Sequence, residues 1–409
     1  MSLLLLLVGC GADCEQTLAP QAVLTGDQTP FADYDPAACT PDERAWQDNI
    51  APVVQEKCSS CHDTEPQFGA PNTLVDYAEL LEGLPGNRPV DRMAVRSATH
   101  TMPPANSPQL DHEELDNLVS WATCGEVHAD PSIGLVVDRE PYTADAPQNA
   151  ELPSFDVLAT AFQVTPSTLD QYQCFAMDVP IDEPRFIKRM QVTLDDARVL
   201  HHVVLHHDRQ AESADLGSFD CDSMGVGRSQ QLWAWAPGTG AFDFEEGGLE
   251  LNPGERLIVE IHYNNGAGLS DVEDSSGVRI FHGPVEDLEW TLAALGPDEF
   301  EVPQGESAVC SQDEVFGPKR LLAGMPHMHE LGAEFDSWIE RANGETEDLV
   351  HLTGWSFESQ HFYEMGTLVD QGDVLHTRCG YRNETGADAS SGLRTQDEMC
   401  FNFLFVGPQ

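Results

Sequence analysis

Apolar positions recur at helical spacing in the first third of the chain and at strand spacing after it. In AWQDNIAPVVQEKCSSCHD, Trp46, Ile50 and Val54 fall on one face of a helix. DHEELDNLVSWATCGE, residues 111–126, predicts a second amphipathic helix behind an acidic first turn. Past residue 152 the pattern changes to short runs rich in Val, Ile, Leu and Phe, such as RLIVEIHYNN and EMCFNFLFV, divided by Gly, Pro and Asn turns. That alternation predicts antiparallel sandwiches. Residues 11–43 show no period, and residues 127–152 are rich in Pro and Asp. The chain therefore reads as multidomain: a tether within 1–43, a small all-α module over 44–126, a linker over 127–152 and an all-β remainder. Its 409 residues give room for two or three domains.

Charge narrows the partners. Acidic residues outnumber basic ones 70 to 20, and the only lysines are Lys57, Lys188 and Lys319. A net charge of −50 repels a phosphate backbone, so no nucleic acid partner is expected. The surface reads instead as one solvated in a salty medium, where screening limits self-repulsion. The opening MSLLLLLVGC is too short to span a bilayer and resembles the end of a bacterial lipoprotein signal. Lipidation at Cys10 would hold the protein outside the cytoplasm by a lipid anchor alone. Eleven cysteines point the same way, since disulfides persist in oxidising compartments.

The helical module carries Cys58-Ser-Ser-Cys61-His62, a c-type haem attachment signature. Two thiols on one helical turn can bond the haem vinyl groups while the next imidazole meets the iron. Met102, in the Pro-stiffened THTMPPAN, is the expected distal ligand, with Met93 and His100 as rivals. A His/Met pair suits electron transfer. Zinc at the cysteine pair lacks a second pair nearby. The module resembles small class I cytochromes c.

In the β region, HHVVLHHD puts four of the chain's 15 histidines into residues 201–208. An exposed strand with a polar face would account for them equally well. Further on, IVEIHYNN holds His262 and GMPHMHELG holds His327 and His329, which share a strand face. A thioether such as Met399 in DEMC could complete a site there, and imidazole with Met suits copper. His201, His202 and His262 would form an all-imidazole second site. Adjacent residues on a regular strand face opposite ways, so joint use of His201 and His202 requires a bulge or a strand end.

Residues 151–409 resemble the copper type II, ascorbate-dependent monooxygenases. The resemblance rests on VLHHVVLHH, AWAPG, VEIHYNN followed by DSSGVRI, PHMHELG, QGDVLHTRCGY and DEMC, in that family's order. It implies two jelly-roll-like copper sandwiches, here at 153–285 and 286–409. It assigns His201, His202 and His262 to an electron-donating copper and His327, His329 and Met399 to an oxygen-binding copper. His206 and His207 have no counterpart as ligands and are expected at the surface or behind the site. It also implies disulfides Cys174–Cys221 and Cys379–Cys400. Cys39 and Cys124 could staple the ends of the helical module. Cys310 matches a cysteine whose partner would lie beyond this chain, and Cys14 has no assigned partner.

The implied activity is hydroxylation of a substrate C–H by O₂, with two copper ions and one haem c as cofactors. Electrons would come through the haem from an external donor, ascorbate or another reductant. Met325 and Phe403 stand where the peptide-hydroxylating branch has an arginine and a tyrosine, so a small neutral or apolar organic substrate is expected. Two other readings stand beside this one. The first is a non-catalytic redox or copper-binding protein on the same scaffold. The second is a blue-copper carrier with Cys400 as thiolate beside His327, His329 and Met399.

Overall fold

Trp46, Ile50 and Val54 lie on the buried face of a continuous helical run, Glu43–Ala45, Trp46–Ile50 and Ala51–Lys57, whose middle segment is a π-turn. The computed structural model describes Cys14, Leu18 and residues 34–98, 102–103, 107–128, 149–167, 171–211, 217–221, 229–237, 239–265, 267–353, 355, 357, 360–392 and 397–409. The expected lipidation site Cys10, the alternative haem ligand His100 and linker residues 129–148 lie outside the described residues. Asp42 caps the first helical run by accepting from the Ala45 amide at 2.7 Å. Asp111 and Glu114 form a reciprocal capping box that starts the helix His112–Ala122. The two runs meet through Trp46 and Trp121, whose ring centres lie 5.3 Å apart. Pro89–Ala98 closes the core with Val90, Met93 and Ala94, and a Cys39–Cys124 disulfide joins the ends of the module. Met93 is committed to this packing, being 5% exposed.

The β region is built on one nine-stranded sheet. Its order is Ser154–Leu158, Gly277–Gly283, Arg185–Thr193, Gly248–Leu251, Glu289–Leu295, Phe401–Pro408, Lys319–His327 and Tyr363–Val369, with Phe242–Asp243 paired to Arg185–Thr193 off this path. A five-stranded sheet covers its first half, in the order Gly217–Asp220, Gln171–Asp178, Arg256–Tyr263, Leu200–Asp208 and Gln230–Trp235. A four-stranded sheet covers its second half, in the order Gly305–Glu314, Val374–Asn383, Gly332–Glu340 and Thr346–Leu352. Alternation of buried residues along these strands gives two sandwich cores.

The border expected at 285/286 falls within a continuous sheet. Glu289 and Trp290 pair in parallel with Gly248 and Leu249, which joins the two halves edge to edge. The approach there is close: a Cβ on Gly247 would collide with the Leu288 carbonyl oxygen, so no larger residue fits without displacement. The first core accordingly draws in Trp290, Ala323, Met325, Phe362 and Phe405 from the second half.

The tether contains two fixed points. Cys14 is disulfide-bonded to Cys310 across 296 residues, and Leu18 is buried. A Cβ on Gly380 would meet the Leu18 Cδ2 at 2.5 Å, which puts that side chain against the four-stranded sheet. This pairing supplies partners for the two cysteines whose states the sequence left open. Local spacing could not reveal a pairing between such distant positions.

Closing so long a loop restricts the unfolded chain, so Cys310→Ser should lower stability by about 2–4 kcal/mol, read from the urea midpoint. Non-reducing peptide mapping should recover Cys14 and Cys310 in one cross-linked species. Their recovery in separate peptides would contradict the pairing.

Candidate metal centres

The first cluster forms at a slip in strand register. Leu200–Asp208 pairs with Arg256–Tyr263 so that His202 faces His262 and Val203 faces Ile261, but Tyr263 then faces Leu200. His201 is the extra residue, and the irregularity lets two adjacent imidazoles turn to one side. The ligand nitrogens of His201, His202 and His262 all lie within 4.8 Å of one another. His201 Nδ1 and His262 Nδ1 are 3.0 Å apart, and all three residues are buried. Tyr172 stacks on His262 at 4.3 Å with only 6° between planes, which fixes that ring. Three buried, convergent imidazoles are a donor set suited to a transition metal.

His206 and His207, expected at the surface or behind the site, are both buried. His206 Nε2 meets Glu260 at 2.9 Å and His207 Nε2 meets Glu255 at 2.8 Å. The exposed-strand explanation of HHVVLHHD therefore fails, because the strand is central in its sheet and its polar side chains are paired inward. Burial lowers the His207 pKa despite the opposing pull of Glu255.

His327 and His329 lie at the end of Lys319–His327 and just beyond it, with rings nearly perpendicular and centres 5.2 Å apart. Each is held through Nδ1: His327 by Gln360 Oε1 at 2.7 Å, His329 by the Asp397 carbonyl at 2.9 Å. Anchoring at Nδ1 points to Nε2 as the ligating atom in both rings. Burial, followed by the neighbouring His329, pushes His327 down to about 3, so it is neutral and able to bind metal at physiological pH. Glu398 accepts the amides of His329 and Leu331 at 3.0 and 2.7 Å. Asp397 and Glu398 thereby tie the segment that leads into Met399 to the turn that carries His329. Tyr381 Oη adds a 2.7 Å hydrogen bond to the Met399 carbonyl. Burial raises Glu398 to about 7.

Sequence reasoning missed Gln360, Tyr172, Glu398 and Phe357. The Phe357 ring contacts His202 at 5.5 Å and His329 at 5.9 Å, so one aromatic side chain touches both clusters. Nothing in a lone Phe in a loop signals that placement. Phe403 lies 5.5 Å from His327, whereas Met325 is buried in the first core at 1% exposed. The Cys174–Cys221 and Cys379–Cys400 disulfides are formed. The second removes Cys400 as a thiolate ligand, and with it the blue-copper arrangement.

In the helical module, Cys58 and Cys61 are unbridged thiols. Burial pushes Cys58 up to about 12 and raises Cys61 as well. His62 Nδ1 lies 2.8 Å from the Asn72 carbonyl, leaving Nε2 for an axial bond, and burial lowers its pKa. Met102 is half-buried, with its amide on the Arg96 carbonyl at 3.1 Å. These residues suit a covalently held haem.

Residues 305–406 match the family described as copper type II ascorbate-dependent monooxygenase, C-terminal domain. Dopamine beta-hydroxylase of Rattus norvegicus is 29% identical over 295 residues, covering 64% of this chain and 47% of that protein. Dopamine beta-hydroxylase of Homo sapiens is 29% identical over 297 residues, covering 63% and 47% respectively. Tyramine beta-hydroxylase of Caenorhabditis briggsae is 26% identical over 271 residues, covering 59% and 46%. The chain thus spans about half the length of the curated relatives it matches. Among solved structures, that of the STIV MCP overlaps 63% of this chain and 97% of its own at 9% identity, with a TM-score of 0.32, too low to bear on fold or function.

Beside Gln360 sits His361, 3% exposed, which burial pulls to about 4. Its ordinary value when unfolded is about 6.5, so acid favours the unfolded chain. The stability it contributes is complete above about pH 6.5 and is lost as pH falls toward 4. Metal-free wild type should lose roughly 2 kcal/mol more than His361→Phe between pH 6.5 and 4.5 in urea unfolding. Parallel pH profiles for the two proteins would show that His361 titrates alike folded and unfolded.

Proposed function

We propose that the chain is a copper-dependent monooxygenase that hydroxylates a C–H bond of a small neutral or apolar substrate with O₂. Its electrons arrive through the attached c-type haem module from an external donor, ascorbate or another reductant. The observation that carries the reading is the pair of histidine groups, His201/His202/His262 and His327/His329, with Phe357 in contact with both and the segment before Met399 hydrogen-bonded to His329. The match of residues 305–406 and the similarity to dopamine and tyramine beta-hydroxylases support it.

Bound copper supplies one-electron redox chemistry, with thioether ligation favouring its reduced state. His201, His202 and His262 would hold the ion that passes on an electron, and His327, His329 and Met399 the ion at which O₂ is used. Gln360 and the Asp397 carbonyl keep His327 and His329 in one tautomer and one orientation. Phe357 and Phe403 give the second site apolar walls, and Met325 is turned into the core, so neither sequence-flagged position presents a cation to a substrate carboxylate. Haem held by Cys58, Cys61 and His62, with Met102 as second axial ligand, supplies a one-electron carrier. Four disulfides among the described residues agree with an oxidising, extracytoplasmic setting. Lipidation of Cys10 would anchor the chain to a bacterial membrane.

Purified, copper-replete protein should contain two coppers and one covalent haem per chain. Met399→Ile keeps apolar bulk but removes the sulfur. It should abolish ¹⁸O incorporation in a product screen under ¹⁸O₂ while haem and the all-histidine copper persist. Wild-type turnover by the folded variant would exclude the thioether as a required ligand.

A further inference from the structure

We propose that Gln67–Ala70, the turn that follows the CSSCH motif, seats the haem module on the first sandwich and is the point where electrons enter the His201/His202/His262 site. The proposal rests on the haem and copper reading above.

The contact is direct and has a fixed register. The Gln67 amide donates to the Cys61 carbonyl at 2.9 Å, tying the turn to the second haem-attaching cysteine. The next two amides leave the module: Phe68 donates to Ala197 O at 2.5 Å and Gly69 to Arg198 O at 3.2 Å. Those carbonyls belong to the segment that runs into Leu200 and His201. One residue further, the Val199 carbonyl accepts the amide of Asn264, two positions beyond His262. A few bonds therefore connect Cys61 to both strands that carry the all-histidine cluster.

Side chains reinforce the seat. Phe68 packs against the first sandwich core, its ring 5.9 Å from Trp235, and Trp235 pairs with Val203 on the histidine strand. Phe68 and Gly69 have φ of 56° and 72°, a left-handed pair that a phenylalanine adopts only when surrounding contacts hold it. A Cβ on Gly69 would come within 3.0 Å of Asn264 Cβ and 3.3 Å of its carbonyl oxygen, so glycine is required by the approach as well as by φ. Glu65 also lies near enough to Arg198 to favour its charged form across the seam.

Each transfer moves one electron: ferrous haem becomes ferric and one cupric ion becomes cuprous, with no bond or proton exchanged at the junction. An external one-electron donor then re-reduces the haem. A haem held only by the linker would have to find the sandwich by diffusion.

The test uses the full chain loaded with haem and copper. Hydrogen exchange reports the junction amides, and anaerobic stopped-flow absorbance follows oxidation of pre-reduced haem. Wild type should protect Phe68 and Gly69 and oxidise its haem at a rate independent of protein concentration. The double variant Phe68→Asp/Gly69→Val should lose that protection and slow at least about tenfold, falling back on tether-limited encounter, with haem spectrum and copper content unchanged. Phe68→Ala serves as the milder variant where the double change impairs haem assembly. Solvent-rate exchange in wild type, protection that survives the double change, or unslowed haem oxidation in a variant that has lost protection would each overturn the junction. Haem oxidation equally slow with and without copper in wild type would defeat the underlying haem–copper reading as well.

Discussion

The parallel pairing of Gly248–Leu249 with Glu289–Trp290 fixes the geometry on which both donor sets depend. It merges two sandwiches into one nine-stranded sheet. The first histidine cluster lies on the sheet covering one half, and the second at the end of a strand belonging to the shared sheet itself. Packing across the join is aromatic: Phe242, Phe244, Phe362 and Phe405 contact one another with ring centres 4.7–5.2 Å apart. A close-packed interior of this kind resists sliding. The segment bearing Gln360 and Phe357 precedes Phe362, so the residues that orient His327 and touch both clusters are set by the same packing.

Two ways of holding imidazole recur in the molecule. His62, His327 and His329 each engage Nδ1 with an oxygen of the chain, at 2.7–2.9 Å. Each ring is then oriented before any metal arrives. His201 and His262 instead bring their Nδ1 atoms to 3.0 Å of one another, so this cluster holds its nitrogens together by backbone register and by stacking on Tyr172. The difference suits the division of labour proposed above, with one site for electron exchange and the other for O₂ and substrate.

Much of this was legible in the sequence, because helical and strand periods differ and because ligands spaced at i and i+2 share a face. The requirement for a bulge or a strand end followed from the adjacency of His201 and His202 alone, and the slipped register at His262/Tyr263 supplies the first of these. What could not be read were contacts made by position in space. HHVVLHHD looked compatible with an exposed strand, yet Glu260 in the neighbouring strand and Glu255 just before it hydrogen-bond its last two histidines. Cys14–Cys310 and the seating of Phe68 against Trp235 join segments that carry no local signal of each other. Phe357 and Gln360 sit in a loop, where neither period nor composition marks a function.

The central claim is that the chain builds two copper sites with different donor atoms, one all-imidazole and one with imidazole and thioether. Copper K-edge X-ray absorption on the fully reduced, two-copper protein tests it most directly. The account predicts a nitrogen shell for both ions together with a sulfur contribution equivalent to one scatterer per two coppers, absent from Met399→Ile. A spectrum of nitrogen ligands alone in the wild type, or a sulfur contribution that persists in that variant, would contradict it.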